Sequence, residues 1–117
     1  MDSHESPIPA FLPRVAERAV FSADKMQKLD CALTDRLLLG LNCFEPGQSQ
    51  KVHAHAGADK FYMVLSGRAK VVVGAEAREV GAGDLVFAPA GVDHGVETAY
   101  ERTVMLVGIT RASGGAA

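Results

Sequence analysis

Apolar positions in this chain come in short runs separated by turn residues. Leu29, Cys31 and Leu33 recur at every second position, "TD" turns the chain, and "RLLLGLNCFE" is a long apolar run ended by "PG". The stretches "QKVHAH", "KFYMVLSG", "AKVVVG", "REVGAGDLVFAPAG" and "RTVMLVGIT" follow, each rich in Val, Leu, Phe or Met and bounded by Gly, Pro, Asp or Ser. Strands at intervals of roughly ten residues predict an all-β sandwich or barrel rather than alternating strands and helices. Several runs, "AKVVVG" among them, are apolar on both faces, which suits either a barrel with a second layer outside or an ordinary sandwich core.

Before the strands the pattern differs. Residues 1–13 hold three prolines and read as an extended arm; "RVAERAVFSADKMQ" has a weak helical rhythm in which Ser22 is placed to cap a short turn. The expected organisation is an arm and helical turn over 1–24, a β-barrel over 25–111, and a flexible tail, "RASGGAA", whose last residues are 112–117. A chain of 117 residues is long enough for one core, hiding about 65% of its accessible surface.

Composition narrows the function. The net charge is −2 with no run of Lys or Arg, against a nucleic-acid or acidic-membrane surface. No apolar segment approaches the roughly 20 residues of a membrane span. The first residues lack a basic start followed by an apolar run, so no signal peptide is expected. Cys31 and Cys43 are too few and too unpatterned for a disulfide scaffold, which predicts a reduced, cytoplasmic setting.

The chemistry-bearing stretch is "KVHAHAGADKFYMVLSG", residues 51–67. Residues i and i+2 of a strand share a face, so His53 and His55 project side by side, about 6–7 Å apart along the strand. Such a pair can converge on one ion at about 2.0–2.2 Å from each nitrogen; alone, it is as readily two solvent-facing polar residues. A third histidine, His94, lies in "GDLVFAPAGVDHGVET", after a Pro-Gly turn; the fourth, His4, lies in the arm.

At these positions a resemblance becomes specific. Gly47, five residues, His53, one residue, His55 and then Gly67 resemble the first motif of the cupin superfamily. Gly83, five residues, Pro89, one residue, Gly91, two residues and His94 resemble the second. The resemblance covers roughly the central half of the chain and implies an all-β jelly-roll (double-stranded β-helix) barrel. It implies that His53, His55 and His94 hold one divalent transition metal (Fe, Zn, Ni, Mn or Cu); three neutral imidazoles suit Zn, Fe, Ni or Cu better than Mg or Ca, which prefer oxygen. It implies that the motif glycines supply turns with positive φ or room for close approach. In part by the same resemblance, a homodimer is expected, with the arm crossing to the partner.

The chain departs from the family pattern at two positions: Lys60 stands where a glutamate ligand is usual, and Thr98 where an asparagine is usual. If "AGAD" is a four-residue hairpin loop, Lys60 lies opposite His55 and faces the metal; if the loop is "AGA", Asp59 takes that place and a carboxylate is restored. The spacing to Gly67 favours the first. An inward ammonium has four options: bend to the barrel mouth, sit neutral, meet an anionic substrate, or turn to solvent. The period of two puts Tyr62 on the same face, so Lys60 and Tyr62 are the candidate catalytic side chains. Thiol dioxygenases of this superfamily also use three histidines, so the lost glutamate does not by itself abolish chemistry. No nucleophile elbow of the G-x-S-x-G type occurs.

Two functional classes follow. One is a small metalloenzyme acting on a small, anionic molecule, dioxygenase-like or isomerase/lyase-like. The other is a non-catalytic small-molecule-binding or sensing barrel with structural metal or none.

Overall fold

The alternation written into each strand sorts its side chains between two faces, and two sheets result. The structure is a computed structural model describing residues 8–111; His4, the start of the arm and the tail 112–117 lie outside the described residues. After one 3-10 turn, Val15–Arg18, come β1 (Gln27–Leu33), β2 (Leu37–Phe44), β3 (Gln50–His53), β4 (Lys60–Ser66) and β5 (Arg68–Val73). They are followed by β6 (Glu76–Gly81), β7 (Leu85–Ala88), β8 (His94–Ala99) and β9 (Thr103–Thr110). One sheet has the order β1-β2-β9-β4-β7, the other β3-β8-β5-β6, with antiparallel pairing throughout. The sheets pack as a jelly roll and do not close into one continuous barrel. The 3-10 turn Val15–Arg18 lies in the stretch with the weak helical rhythm, but Ser22 does not cap it; Ser22 Oγ instead accepts the N–H of Asp24 at 3.1 Å in the bend that follows.

The core between the sheets draws Phe44, Tyr62, Val64 and Met105 from one sheet and Val71 and Val96 from the other. Burial of such side chains contributes about 1.5–3 kcal/mol each. A second cluster on the outer face of the five-stranded sheet explains the runs that are apolar on both faces. There Leu41, Cys43 and Val104 are covered by Val15, Ala19 and Phe21 of the N-terminal segment. Arg102 stacks over Phe21 and forks onto Glu45 through bonds of 2.8 and 2.9 Å.

The hairpin expected between residues 53 and 60 does not form, which corrects the premise for setting Lys60 opposite His55. β3 pairs with β8 and β4 with β7 and β9, so His53 and Lys60 belong to different sheets. Gly47, Gly67, Gly83 and Gly91 have φ of 85°, 90°, 94° and 79°, the conformations expected of turn glycines.

A different glycine controls the approach of β3 to β8. Gln50 opposes Val96 and His53 opposes His94, so three steps along β3 match two along β8, a β-bulge. The bulged backbone lies directly on Gly95, where an added Cβ would come within 2.8 Å of Gln50 O and 2.9 Å of Val52 Cα. Gly95→Ala should therefore lower stability by about 2 kcal/mol through forced separation of the strands. Gly47→Ala, which has open space and suffers only from its positive φ, should cost about 1 kcal/mol. Denaturant midpoints measure both, and equal losses would show that β3 is not seated on Gly95.

Candidate metal centre

The β3–β8 register places His53 directly opposite His94, and opposed residues of an antiparallel pair share a face. His55 lies two residues beyond the end of β3, in the following loop rather than in the strand. Its carbonyl accepts the N–H of Gly91 at 2.9 Å, and Asp59 Oδ1 accepts the N–H of Ala90 at 2.9 Å. The loop carrying His55 is thus bonded to the turn that delivers His94. Asp59 commits its carboxylate to that bond, which leaves Lys60 as the inward residue.

The three rings gather with centroids 4.8 Å (His53–His55), 4.6 Å (His53–His94) and 5.3 Å (His55–His94) apart. One nitrogen from each lies within 4.8 Å of the others, and the Nε2 atoms of His53 and His55 are 3.1 Å apart. Nitrogens sharing an ion at about 2.1 Å in a tetrahedral site lie about 3.4 Å apart, so the widest of these separations would close by up to about 1.4 Å to complete a three-nitrogen site. Tautomers favour this. His53 Nδ1–H donates to Lys51 O at 2.7 Å and His94 Nδ1–H donates to Val92 O at 2.9 Å, which leaves each Nε2 lone pair directed into the cluster. His94 is 1% exposed and its Nε2 has no partner, an orphaned acceptor that an ion would satisfy. Burial, with the charges of His53 and Lys60 beside it, holds His55 below the usual imidazole range; burial does the same to His94, partly offset by its bond to Val92. Both rings are therefore neutral near pH 7, the form a metal requires. The donor set fits a transition-metal ion.

Lys60, Tyr62 and Val64 form the inward row of β4, and Lys60 is 2% exposed. Its Nζ sits 4.6 Å from the centre of the Tyr62 ring. Burial, helped by the nearby Lys28 charge, pulls the Lys60 amine down from 10.5 to about 8. Tyr62 is fully buried, its hydroxyl is pushed up by burial, and it donates to Gln50 Oε1 at 2.6 Å. Gln50 reaches this position because the bulge turns it to the same face as His53. Period-two reading puts positions 51, 53 and 55 on one face and hides Gln50; no signal in the sequence alone marks the extra residue.

An open groove of about 580 Å³ runs past His53 and His55, lined also by Lys25, Lys28, Gln50 and Lys51. A separate, inner cavity of about 70 Å³ shares Lys28 and His55 with the groove and is bounded also by Asn42, Lys60 and Ile109. A further groove of about 530 Å³ between β6 and β7 touches none of the histidines.

Comparison with known proteins gives the same region a family. The family described as Cupin domain matches residues 40–110, which contain every position of both motifs. The chain is similar to TT1209 from Thermus thermophilus, at 37% identity and TM-score 0.79 over 83% of this chain and 93% of that one. An RmlC-like cupin from Shewanella frigidimarina shares the fold at 24% identity and TM-score 0.70, over 74% and 77% of the two chains. The uncharacterized protein SCO3923 of Streptomyces coelicolor is 45% identical over 58 residues, 48% of this chain and 52% of that protein. The chain thus spans about half the length of this curated relative.

The buried amine yields a stability prediction. With its pKa lowered from 10.5 to about 8, Lys60 is charged in both states at pH 7, and the fold carries the cost of burying the ammonium. That cost fades as pH rises from 8 to 10.5, where the unfolded chain binds the extra proton. In metal-free protein, Lys60→Met should stabilise by about 2–3 kcal/mol at pH 7, with the gap narrowing by pH 10. Denaturation at the two pH values measures it; a gap independent of pH would mean that the amine reaches water.

Proposed function

The chain belongs to the cupin family, and from that membership we propose that it is a small metalloenzyme whose His53, His55 and His94 hold one divalent transition metal, Fe, Zn, Ni, Mn or Cu. The observation that carries this reading is the convergence of three imidazole nitrogens around the unpartnered, buried Nε2 of His94. An ion held by three neutral ligands supplies Lewis acidity and open coordination positions, the requirement of a dioxygenase-like or isomerase/lyase-like reaction. Lys60 attracts an anionic small-molecule substrate to the histidines, and Tyr62 is a positioning residue that fixes Gln50. The second reading, a non-catalytic binding or sensing cupin with structural metal or none, is favoured by the same lysine, because a buried ammonium opposes a neighbouring cation.

Among the described residues no helix is long and apolar enough to cross a membrane. A cytoplasmic setting is supported by Cys31 and Cys43, both free thiols. The absence of any basic run supports a protein that engages neither nucleic acid nor an acidic membrane.

Protein purified without added metal should contain about one transition-metal ion per chain by elemental analysis. His94→Ala should lose it, and Lys60→Glu, by supplying a carboxylate, should bind it more tightly. Because burial holds His55 and His94 below 6.5, release on acidification should set in only below that pH. A wild-type site that is empty and refuses added metal would sink the metalloenzyme reading and leave the sensor.

The homodimer is supported by the outer face of the five-stranded sheet. Phe61 opposes Phe87 and Met63 opposes Leu85 across β4 and β7, and Leu85 and Phe87 remain 60% and 57% exposed. Light scattering should give twice the 12.3 kDa chain mass, and Leu85→Glu with Phe87→Glu should return the monomer. A wild-type mass of one chain would exclude the dimer.

A further inference from the structure

Positive charge in this chain is sorted by place. Its lysines are Lys25, Lys28, Lys51, Lys60 and Lys70. Lys25, Lys28 and Lys51 line the histidine groove, Lys28 and Lys60 line the inner cavity, and Lys70 pairs elsewhere with Glu97 at 3.3 Å. No arginine lines either compartment, while Arg14, Arg68, Arg78 and Arg102 are neutralised by glutamates at other places. Among the described residues the four site lysines form no ion pair. Among the described residues the groove holds no acid, and the one carboxylate bordering the inner cavity, Asp30, is exposed. In a chain of net charge −2, this concentrates cationic field where the histidines meet.

Hydrogen bonding points the same way. Asn42 and Gln50 are 4% and 6% exposed, yet Asn42 Nδ2 and Gln50 Nε2 have no acceptor. Asn42 borders the inner cavity with Lys60, and Gln50 borders the groove with His53. Buried donors left unmatched are costly, so both compartments favour a ligand rich in acceptors. The inner cavity of about 70 Å³ has room for about two waters' volume, enough for one carboxylate but not for a ring. Its remaining wall includes Leu38, Val107 and Ile109, which suits a planar group on an apolar stem rather than a hydrated phosphate. Lys28 and His55 border both compartments, so the two adjoin at these side chains.

We infer that the site takes a small dicarboxylate, one carboxylate meeting Lys60 and Asn42 in the inner cavity and the other meeting Lys25 and Lys51 at the rim, with the connecting carbons passing His55, where the two compartments adjoin. This rests on the proposed function in that it takes the histidine site as the place where substrate binds. Each carboxylate meets its own cationic partners, and charge-assisted bonds of this kind are about twice as strong as neutral ones.

Calorimetric titration of the full chain, zinc-loaded and metal-stripped, with succinate, butyrate and inorganic phosphate tests the inference. Succinate should bind at least about tenfold more tightly than butyrate of the same carbon count, with the advantage shrinking as salt rises. Lys25→Ala with Lys51→Ala, both exposed and tolerant of change, should bring succinate down to the butyrate level, as should Lys60→Met. Equal binding of succinate and butyrate, no binding of either, or an advantage that survives both variants would overturn it. Tighter binding of phosphate than of succinate would also overturn it, since that marks a pocket for one anionic group. Metal content read on the same samples keeps the two readings apart. Bound metal without a succinate preference sinks only the dicarboxylate; a succinate preference in a protein that refuses metal sinks only the metal centre.

Discussion

The seating of the bulged β3 strand on Gly95 is the contact on which the site depends. It sets His53 against His94 in register and, by inserting one residue, turns Gln50 to the same buried face. The neighbouring loop then ties His55 to the turn at Gly91, and Asp59 reinforces the tie through Ala90. Three rings from two separated segments are brought together by backbone pairing, before any ion contributes. The cost of gathering them is met by the strands, in the manner of a preorganised ligand set.

From that arrangement follows the role of β4. It belongs to the opposing sheet, so its inward row, Lys60, Tyr62 and Val64, closes the cluster from the other side. Tyr62 couples the sheets through its bond to Gln50, linking β4 to β3 across the core. A neutral hydroxyl–amide bond of this kind contributes only about 0.5–1.5 kcal/mol net, so its value lies more in fixing the amide than in stability. Lys60 then has nowhere to send its charge: the ring of Tyr62 takes one side of it, and water is almost entirely excluded.

Much of this is legible in the sequence. Spacing of apolar runs marks the short strands as a class, the glycine and proline positions mark the turns, and the two motif spacings mark the three histidines. A hairpin between β3 and β4 reaches an inward Lys60 from a wrong premise, because a tight turn looks the same in one dimension as a crossing from one sheet to the other. What carries the position is the alternation within β4, fixed by its pairing with Ala88 and Ile109. Gln50 and Asn42 are illegible for related reasons. A bulge shifts parity by one residue without a mark in composition, and Asn42 sits in an otherwise apolar run whose inward face is decided only by its partners on β1 and β9. The gathering of Lys25, Lys28 and Lys51 is likewise a property of three-dimensional convergence, since they are spread through a chain that is slightly acidic as a whole.

Replacing an acid by Lys60 changes the charge that any occupant must balance. Three imidazoles are neutral ligands, so a divalent ion here keeps its full charge, and the buried ammonium adds to it. A carboxylate ligand from the protein would have cancelled part of that sum internally. With an ion bound as proposed, that cancellation would fall to the bound molecule, and ion, lysine and anion would be mutually dependent: each cation would raise the affinity for the anion, and by linkage the anion would raise the affinity for the ion. An ammonium beside a metal site would be unfavourable only while the pocket lacked the proposed anion. The orphaned donors of Asn42 and Gln50 follow the same logic, since they too are left unmatched among the described residues and would be satisfied by acceptors on the proposed ligand.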